Sequence, residues 1–283
     1  MAAERVTRQH IEARLDELVA ENRFTIAVVF PLVGAALLLA SAAGLVGPPL
    51  RYNPYLILFG TAVMRLPLVA GIAPLFDRRA AVATGLLVAY SFGIELVGVL
   101  TGWPYGDFSY TIELGPMLFG AVPLGLPVFF LPLVFNSYLL CQLVLGELAR
   151  RRAVRLVAVI CTVLLVDVVL DPGAVAIGFW SYFGGAFYGV PVSNYLGWVL
   201  SATVTVFLLD YGFDRARLMD RLENCEFMLD DLVSFVVLWG SINAVFGNWV
   251  PVGVALVLAG GLVKADRFDV AGLGSGEPGS TEG

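Results

Sequence analysis

Residues 95–116, ELVGVLTGWPYGDFSYTIELGP, carry an apolar helix into a segment with four glycines, two prolines and several aromatic rings. The segment contains acids (Glu95, Asp107, Glu113) but no lysine or arginine. Residues 167–198, DVVLDPGAVAIGFWSYFGGAFYGVPVSNYLGW, have the same make-up: acids at a helix end, then Gly, Pro and aromatics, again with no basic residue. Lys and Arg mark the cytoplasmic loops of membrane proteins. Both stretches are therefore expected at the opposite membrane face, where they build one site.

The chain around them has 283 residues, 59% hydrophobic and 14% charged, with a mean hydropathy of +0.85. Soluble domains carry roughly 45–50% apolar and about 25% charged residues, so an all-α polytopic membrane protein is predicted. Apolar runs long enough to cross a bilayer as helices fall near 24–47, 54–76, 80–101, 117–148, 154–170, 193–210 and 231–248, with a short eighth at 250–264. That makes seven to eight transmembrane helices. The fourth run is too long for one straight helix and holds Pro123, Pro127 and Pro132. Its first part is expected to be broken or re-entrant, which is tolerated only where protein or water satisfies the freed backbone. With the N-terminus cytoplasmic, 15 of the 17 basic residues fall on the inner side; Arg51 lies in an outer loop and Arg65 inside a span.

Three parts follow. Residues 1–23 read as a cytoplasmic amphipathic helix, with Ile11, Leu15, Leu18 and Val19 sharing one face; they are long and acidic for a signal peptide's first region. Residues 24–264 form the transmembrane helical domain. Residues 265–283, rich in Gly, Ser and acids, are expected to be a disordered acidic tail.

The net charge of −6 and the single lysine, Lys264, argue against a nucleic-acid partner, which needs a basic face. The same balance suits a salt-loving organism, although a GC-rich genome also favours Arg. His10, the one histidine, sits in the charged N-terminal segment, which excludes His-ligated metal or haem centres and His-based triads. Cys141, Cys161 and Cys225 are scattered and suggest neither a disulfide framework nor a thiolate metal site. No phosphate-cradling glycine loop is present. No cofactor is expected.

Ionisable residues inside spans cost roughly 2.5–3.5 kcal/mol each on insertion scales. Arg65, Glu95 and Asp167 stand out. Arg65 could staple the bundle by pairing with one acid, but it cannot serve Glu95, Asp167 and Asp171 together. The partial negative charge of a helix's last turn and the loss of solvent both disfavour an ionised Asp167. Asp171 precedes Pro172 and is biased out of the helix, into an outer cavity. A carboxylic acid kept protonated in an apolar site is what a general acid requires. Around these acids lie Trp103, Tyr105, Phe108, Tyr110, Phe179, Trp180, Tyr182, Tyr188, Tyr195 and Trp198. An interfacial aromatic belt accounts for them on numbers alone. Their concentration beside acids and glycines also suits shelter for a cation, worth about 2 kcal/mol or more per desolvated ring.

The pattern Glu95-x-x-Gly98-x-x-Thr101-Gly102-x-Pro104-x-Gly106, then Tyr110-Thr111 and Leu114-Gly115-Pro116, resembles the membrane carotenoid-biosynthesis family that includes the CruF-type carotenoid hydratases. So does Asp167-x-x-x-Asp171-Pro172, followed by Trp180, Tyr188-Gly189-Val190-Pro191, Asn194 and Gly197-Trp198. The resemblance covers roughly residues 90–200. It implies an enzyme that adds water across the terminal trisubstituted double bonds of a long acyclic carotenoid, giving tertiary alcohols without a cofactor. Asp171 or Asp167 is then the expected proton donor, with Glu95 positioning water or taking its proton and Arg65 setting the ionisation of one acid. Trp103, Tyr105, Asp107, Tyr110, Trp180, Tyr188, Asn194 and Trp198 are the expected substrate-binding residues. The expected partners are the carotenoid, membrane lipid and other membrane enzymes of the carotenoid pathway. The rival expectation is a membrane carotenoid- or lipid-binding or transport protein, since intramembrane charges and a Pro-broken helix also describe transporters. A retinal protein is a further thought, but Lys264, followed by Asp266 and Arg267, reads as snorkelling to the inner interface.

Overall fold

The computed structural model describes residues 2–267, with side chains from residue 7 onward. From residue 268 the acidic tail expected at 265–283 lies outside the described residues. Helices account for most of the chain, as apolar runs must satisfy their own backbone groups away from water. They are α1 (Ala2–Glu21), α2 (Phe30–Ala42, entered through a π-turn at Thr25–Val29), α3 (Pro54–Met64), α4 (Leu66–Ile72), α5 (Arg78–Thr101) and α6 (Leu126–Leu145). Then come α7 (Arg152–Ala176), α8 (Val192–Gly212), α9 (Arg215–Asn224), α10 (Asp230–Phe246) and α11 (Trp249–Lys264). Four short strands lie in the connections: β1 (Phe108–Tyr110), β2 (Met117–Leu118), β3 (Val122–Pro123) and β4 (Trp180–Tyr182).

Among the described residues, five segments are long and apolar enough to cross a membrane: Thr25–Ala42, α5, Leu126–Arg150, α7 and α8. A sixth is the α3–α4 pair, Pro54–Met64 with Leu66–Leu75, bent by 44°. The helices α10 and α11 have 17 and 16 residues. At 1.5 Å per residue each is about 25 Å long, against about 30 Å of hydrocarbon. They pack side by side as a hairpin.

One break comes in addition to the one expected in the fourth run. It lies at Arg65 between α3 and α4, where Pro67 near the start of α4 brings no N–H. Residues 117–125 are not helical: β2 and β3 pair as a small hairpin. The helix α6 starts only at Leu126, with Pro127 in its first turn, where a missing N–H is harmless, and Pro132 inside. Asp171 also departs from expectation, because α7 runs through Pro172 to Ala176. Beside that proline, Asn243 of α10 donates to the Val169 carbonyl (2.8 Å), and Asn248 donates to the Pro172 carbonyl (3.4 Å). Side chains of α10 and of the link to α11 thus serve backbone groups beside the proline, the condition under which a proline is tolerated inside a membrane helix.

At the centre, α7 packs against α6, α8, α10 and α11, while α5 packs against α8. The helix α5 is started by Asp77, whose carboxylate accepts the Arg79 and Ala80 N–H groups (2.8 and 3.0 Å), and is stopped by Gly102 at φ +73°. At that C-terminal end the loops after α5 and α7 meet. Strands β1 and β4 pair antiparallel, with Phe108 opposite Tyr182, Ser109 opposite Ser181 and Tyr110 opposite Trp180.

Candidate active site

Beneath the β1–β4 ribbon, α5, α6, α7 and α8 enclose a cavity of about 110 Å³. Its polar lining is Glu95 from α5, Asp171 from α7, Asn194 from α8 and the tyrosines Tyr105, Tyr110 and Tyr182. The other walls are the rings of Phe108, Phe129, Phe130, Phe179, Trp180, Trp198 and Trp239, with Leu114, Pro123, Leu126, Leu133 and Leu170. No Lys, Arg or His is among them. The strand pairing explains the tyrosines. Side chains alternate along a strand, so in F-S-Y and W-S-Y the rings share one face and the serines the other.

Each ribbon tyrosine holds a carboxyl group from a different helix. The Tyr110 hydroxyl donates to Oε1 of Glu95, and the Tyr182 hydroxyl to Oδ2 of Asp171 (2.8 Å). Burial, followed by the neighbouring carboxylates, holds both phenols well above their usual range, so they remain O–H donors. The Asn194 amide donates to Oδ2 of Asp167 (2.8 Å) and to Oδ2 of Asp171 (2.6 Å). Asp167 and Asp171, one helical turn apart, are thereby bridged by one amide. Among the described residues, Oδ1 of Asp167 is buried without a partner, as is Nε1 of Trp180. Asp171 lines the cavity, and both of its hydrogen bonds among the described residues fall on Oδ2, none on Oδ1.

Tyr105 supports the opposite wall. Its ring packs over Gly98 of α5, where a Cβ would lie 3.2 Å away, and against Gly197 of α8, where a Cβ would collide with it. Its hydroxyl meets Oγ of Ser201 (2.8 Å), which also meets the Tyr90 hydroxyl (3.0 Å). Trp198 stacks on Phe130 with ring centroids 5.3 Å apart.

The structure thus brings Glu95, Tyr105, Tyr110, Asp171, Trp180, Asn194 and Trp198 to one cavity, with Asp167 just behind Asn194. It does not bring Trp103, Asp107 or Tyr188 there. Trp103 is 59% exposed, Asp107 is exposed beside Gly102, and the Tyr188 hydroxyl accepts the Val250 N–H (3.4 Å). Arg65 meets none of the three named acids. Its guanidinium pairs with the buried Asp231 of α10 and donates to the Val128 carbonyl (3.2 Å), and Asn136 donates to the same aspartate (2.7 Å). Arg65 and Asn136 line a separate void of about 30 Å³ that shares the Phe129, Leu133, Leu170 and Trp239 walls with the main cavity. Sequence reasoning missed Tyr182 as a site residue, and Asp231. The repeated aromatic-Ser-aromatic triplet was a signal for the first. Nothing in linear spacing links Arg65 to an acid 166 positions away. Among the described residues no group of three or more His, Cys, Asp or Glu side chains is arranged to hold a metal ion.

Residues 52–262 match the family model described as "Carotenoid biosynthesis protein". The chain is 64% identical over 263 residues to the bisanhydrobacterioruberin hydratase of Haloarcula japonica, a match covering 93% of this chain and 90% of that protein. No solved structure matches.

Proposed function

Because the chain belongs to the carotenoid biosynthesis protein family, we propose that it is an integral-membrane hydro-lyase that hydrates the terminal C=C bonds of an acyclic long-chain carotenoid, bisanhydrobacterioruberin, towards bacterioruberin. One observation carries the chemical part: carboxyl groups from two helices face one aromatic cavity that has no basic residue in its wall.

Hydrating an unactivated alkene needs a strong proton donor, shelter for a tertiary cation and one placed water. Asp171 is the donor, because it lines the cavity and its Oδ1 carries none of the side chain's hydrogen bonds among the described residues. Two carboxyl groups sharing one site can hold a proton between them, and Asp167, joined through Asn194, is the second member of that pair. The proton goes to the less substituted alkene carbon, and the positive charge forms on the tertiary carbon. The faces of Trp180, Trp198 and Tyr105 lower the cost of that charge in a dry setting. Glu95, steadied by Tyr110, orients the water and takes its proton as the C–O bond forms. Return of that proton to the aspartate pair closes the cycle, so alkene and water become alcohol with nothing else consumed. Trp103, Asp107 and Tyr188, at the loop surface, are placed to meet the rest of a long substrate rather than its reacting end. Arg65 acts through packing, from behind the cavity wall.

The arginine-rich helix ends support a reading with the N-terminus and α1 at the cytoplasmic face of the cell membrane and the ribbon at the outer face. The family and the activity of the Haloarcula relative do not favour a transporter. Asp171→Asn, Asp167→Asn and Glu95→Gln, each expressed in a host that makes the dehydrated pigment, test the mechanism. Asp171→Asn is expected to cut hydrated carotenoid by about a hundredfold or more, the scale of a lost general acid. Full hydration by all three variants would end this reading.

A further inference from the structure

The ends of α5, α7 and α8 remote from the cavity form a second concave region. Two adjoining hollows of about 370 and 520 Å³ share Arg79, Arg152, Asp210 and Tyr211. The first is lined by five arginines against three aspartates. Most of those charges are already matched. Arg155 pairs with Asp210 through two nitrogens, the Tyr138 hydroxyl donates to the same carboxylate (2.7 Å), and Arg150 pairs with Glu147 (3.0 Å). Arg215 donates to Gln142 (3.1 Å) and to the Gly146 carbonyl (3.3 Å). Asp77 caps α5 and Asp214 caps α9. Among the described residues, Arg79 and Arg152 are left with no side-chain hydrogen bond or ion pair. Two guanidinium forks facing one hollow are a phosphate-binding arrangement.

The second hollow continues from these arginines along α7 and α8 over Leu156, Val206 and Phe207, and Phe207 is 65% exposed. Tyr211, 59% exposed, stands at the junction, where an aromatic ring sits between headgroup and hydrocarbon. A charged pocket that opens into an apolar groove on a membrane helix surface matches a molecule that is anionic at one end and oily at the other. We propose that this region is a binding site for an anionic phospholipid. The phosphate lies between Arg79 and Arg152, and an acyl or isoprenoid chain lies along Leu156 and Phe207. The site is distinct from the cavity: the stretch from Arg79 to Glu95 covers about 24 Å of α5 at 1.5 Å per residue. Phosphate chemistry alone would also admit a free ion; the groove is what selects the lipid.

The test uses the full purified chain in a neutral detergent at one fixed salt concentration, since such contacts weaken with ionic strength. The thermal unfolding midpoint is followed on adding phosphatidylglycerol, phosphatidylcholine or inorganic phosphate. Phosphatidylglycerol is expected to raise the midpoint, with little change from the other two. Arg79→Gln with Arg152→Gln should weaken the phosphatidylglycerol effect about tenfold in half-saturating concentration, roughly 1.4 kcal/mol. Arg78→Gln with Arg151→Gln removes the same charge from neighbouring exposed positions outside the hollow and should leave it intact. If the first double variant does not fold, Arg152→Gln alone replaces it. Equal weakening in both pairs, an undiminished effect in the first pair, or a response to inorganic phosphate matching that to the lipid would each overturn the site.

Discussion

At Asp171 one oxygen accepts from both Tyr182 and Asn194, and the other accepts from none of the described residues. That asymmetry makes Tyr182 a positioning residue, and its removal should leave the acid in place but loosely aimed. One hydrogen bond to a charged or proton-sharing group is worth about 1.5 kcal/mol, so Tyr182→Phe is expected to slow hydration roughly tenfold with little change in substrate affinity. Initial-rate measurements on membranes check the split. Asp231 predicts something different. Removing one partner of a buried pair costs about 3–5 kcal/mol, so Asp231→Ala, which strands Arg65, should lower the unfolding midpoint steeply. Glu95, Asp167 and Asp171 were legible in the sequence because charge inside an apolar run is costly and must be used. Trp103 and Tyr188 were not separable from Trp180 and Trp198, because composition marks a loop as aromatic without saying which rings turn inward. Arg65 was legible as an anomaly, but its partner was not.

At the scale of elements, the apolar runs gave the helices and missed what joins them. Hydropathy does not register the bend at Arg65, since the two sides together read as one apolar span. Pro172 reads locally as a helix end; the Asn243 and Asn248 side chains, folded alongside, serve carbonyls beside it in the continuing helix. The β1–β4 ribbon is three residues a side, too short for a periodicity to show. It is nevertheless directly testable. Ser109 and Ser181 are opposite partners, with their hydroxyl oxygens 3.4 Å apart. In a background where the exposed Cys161 is replaced by Ser, the pair Ser109→Cys and Ser181→Cys should cross-link under mild oxidation. Mass analysis of peptides without reduction reads the bond, and failure to form it would mean the two loops do not pair.

Over the whole molecule the polarity runs one way: arginines at one end of α5 and α7, acids and rings at the other. Positive residues stay on the cytoplasmic side, so a cysteine placed at the exposed Phe183 should react with a membrane-impermeant thiol reagent from outside intact cells, again without Cys161. One placed at Arg151 should react only after lysis. The order of charges along the chain foretold this end-to-end contrast, because the contrast depends on where they lie and not on packing. The ribbon gives the contrast a mechanical meaning. Its two strands share one ladder, and each anchors a phenol on an acid from a separate helix. A tilt of the ribbon that lifts Tyr110 from Glu95 should therefore also pull Tyr182 from Asp171, so the donor and acceptor proposed above would be armed and disarmed as a single unit.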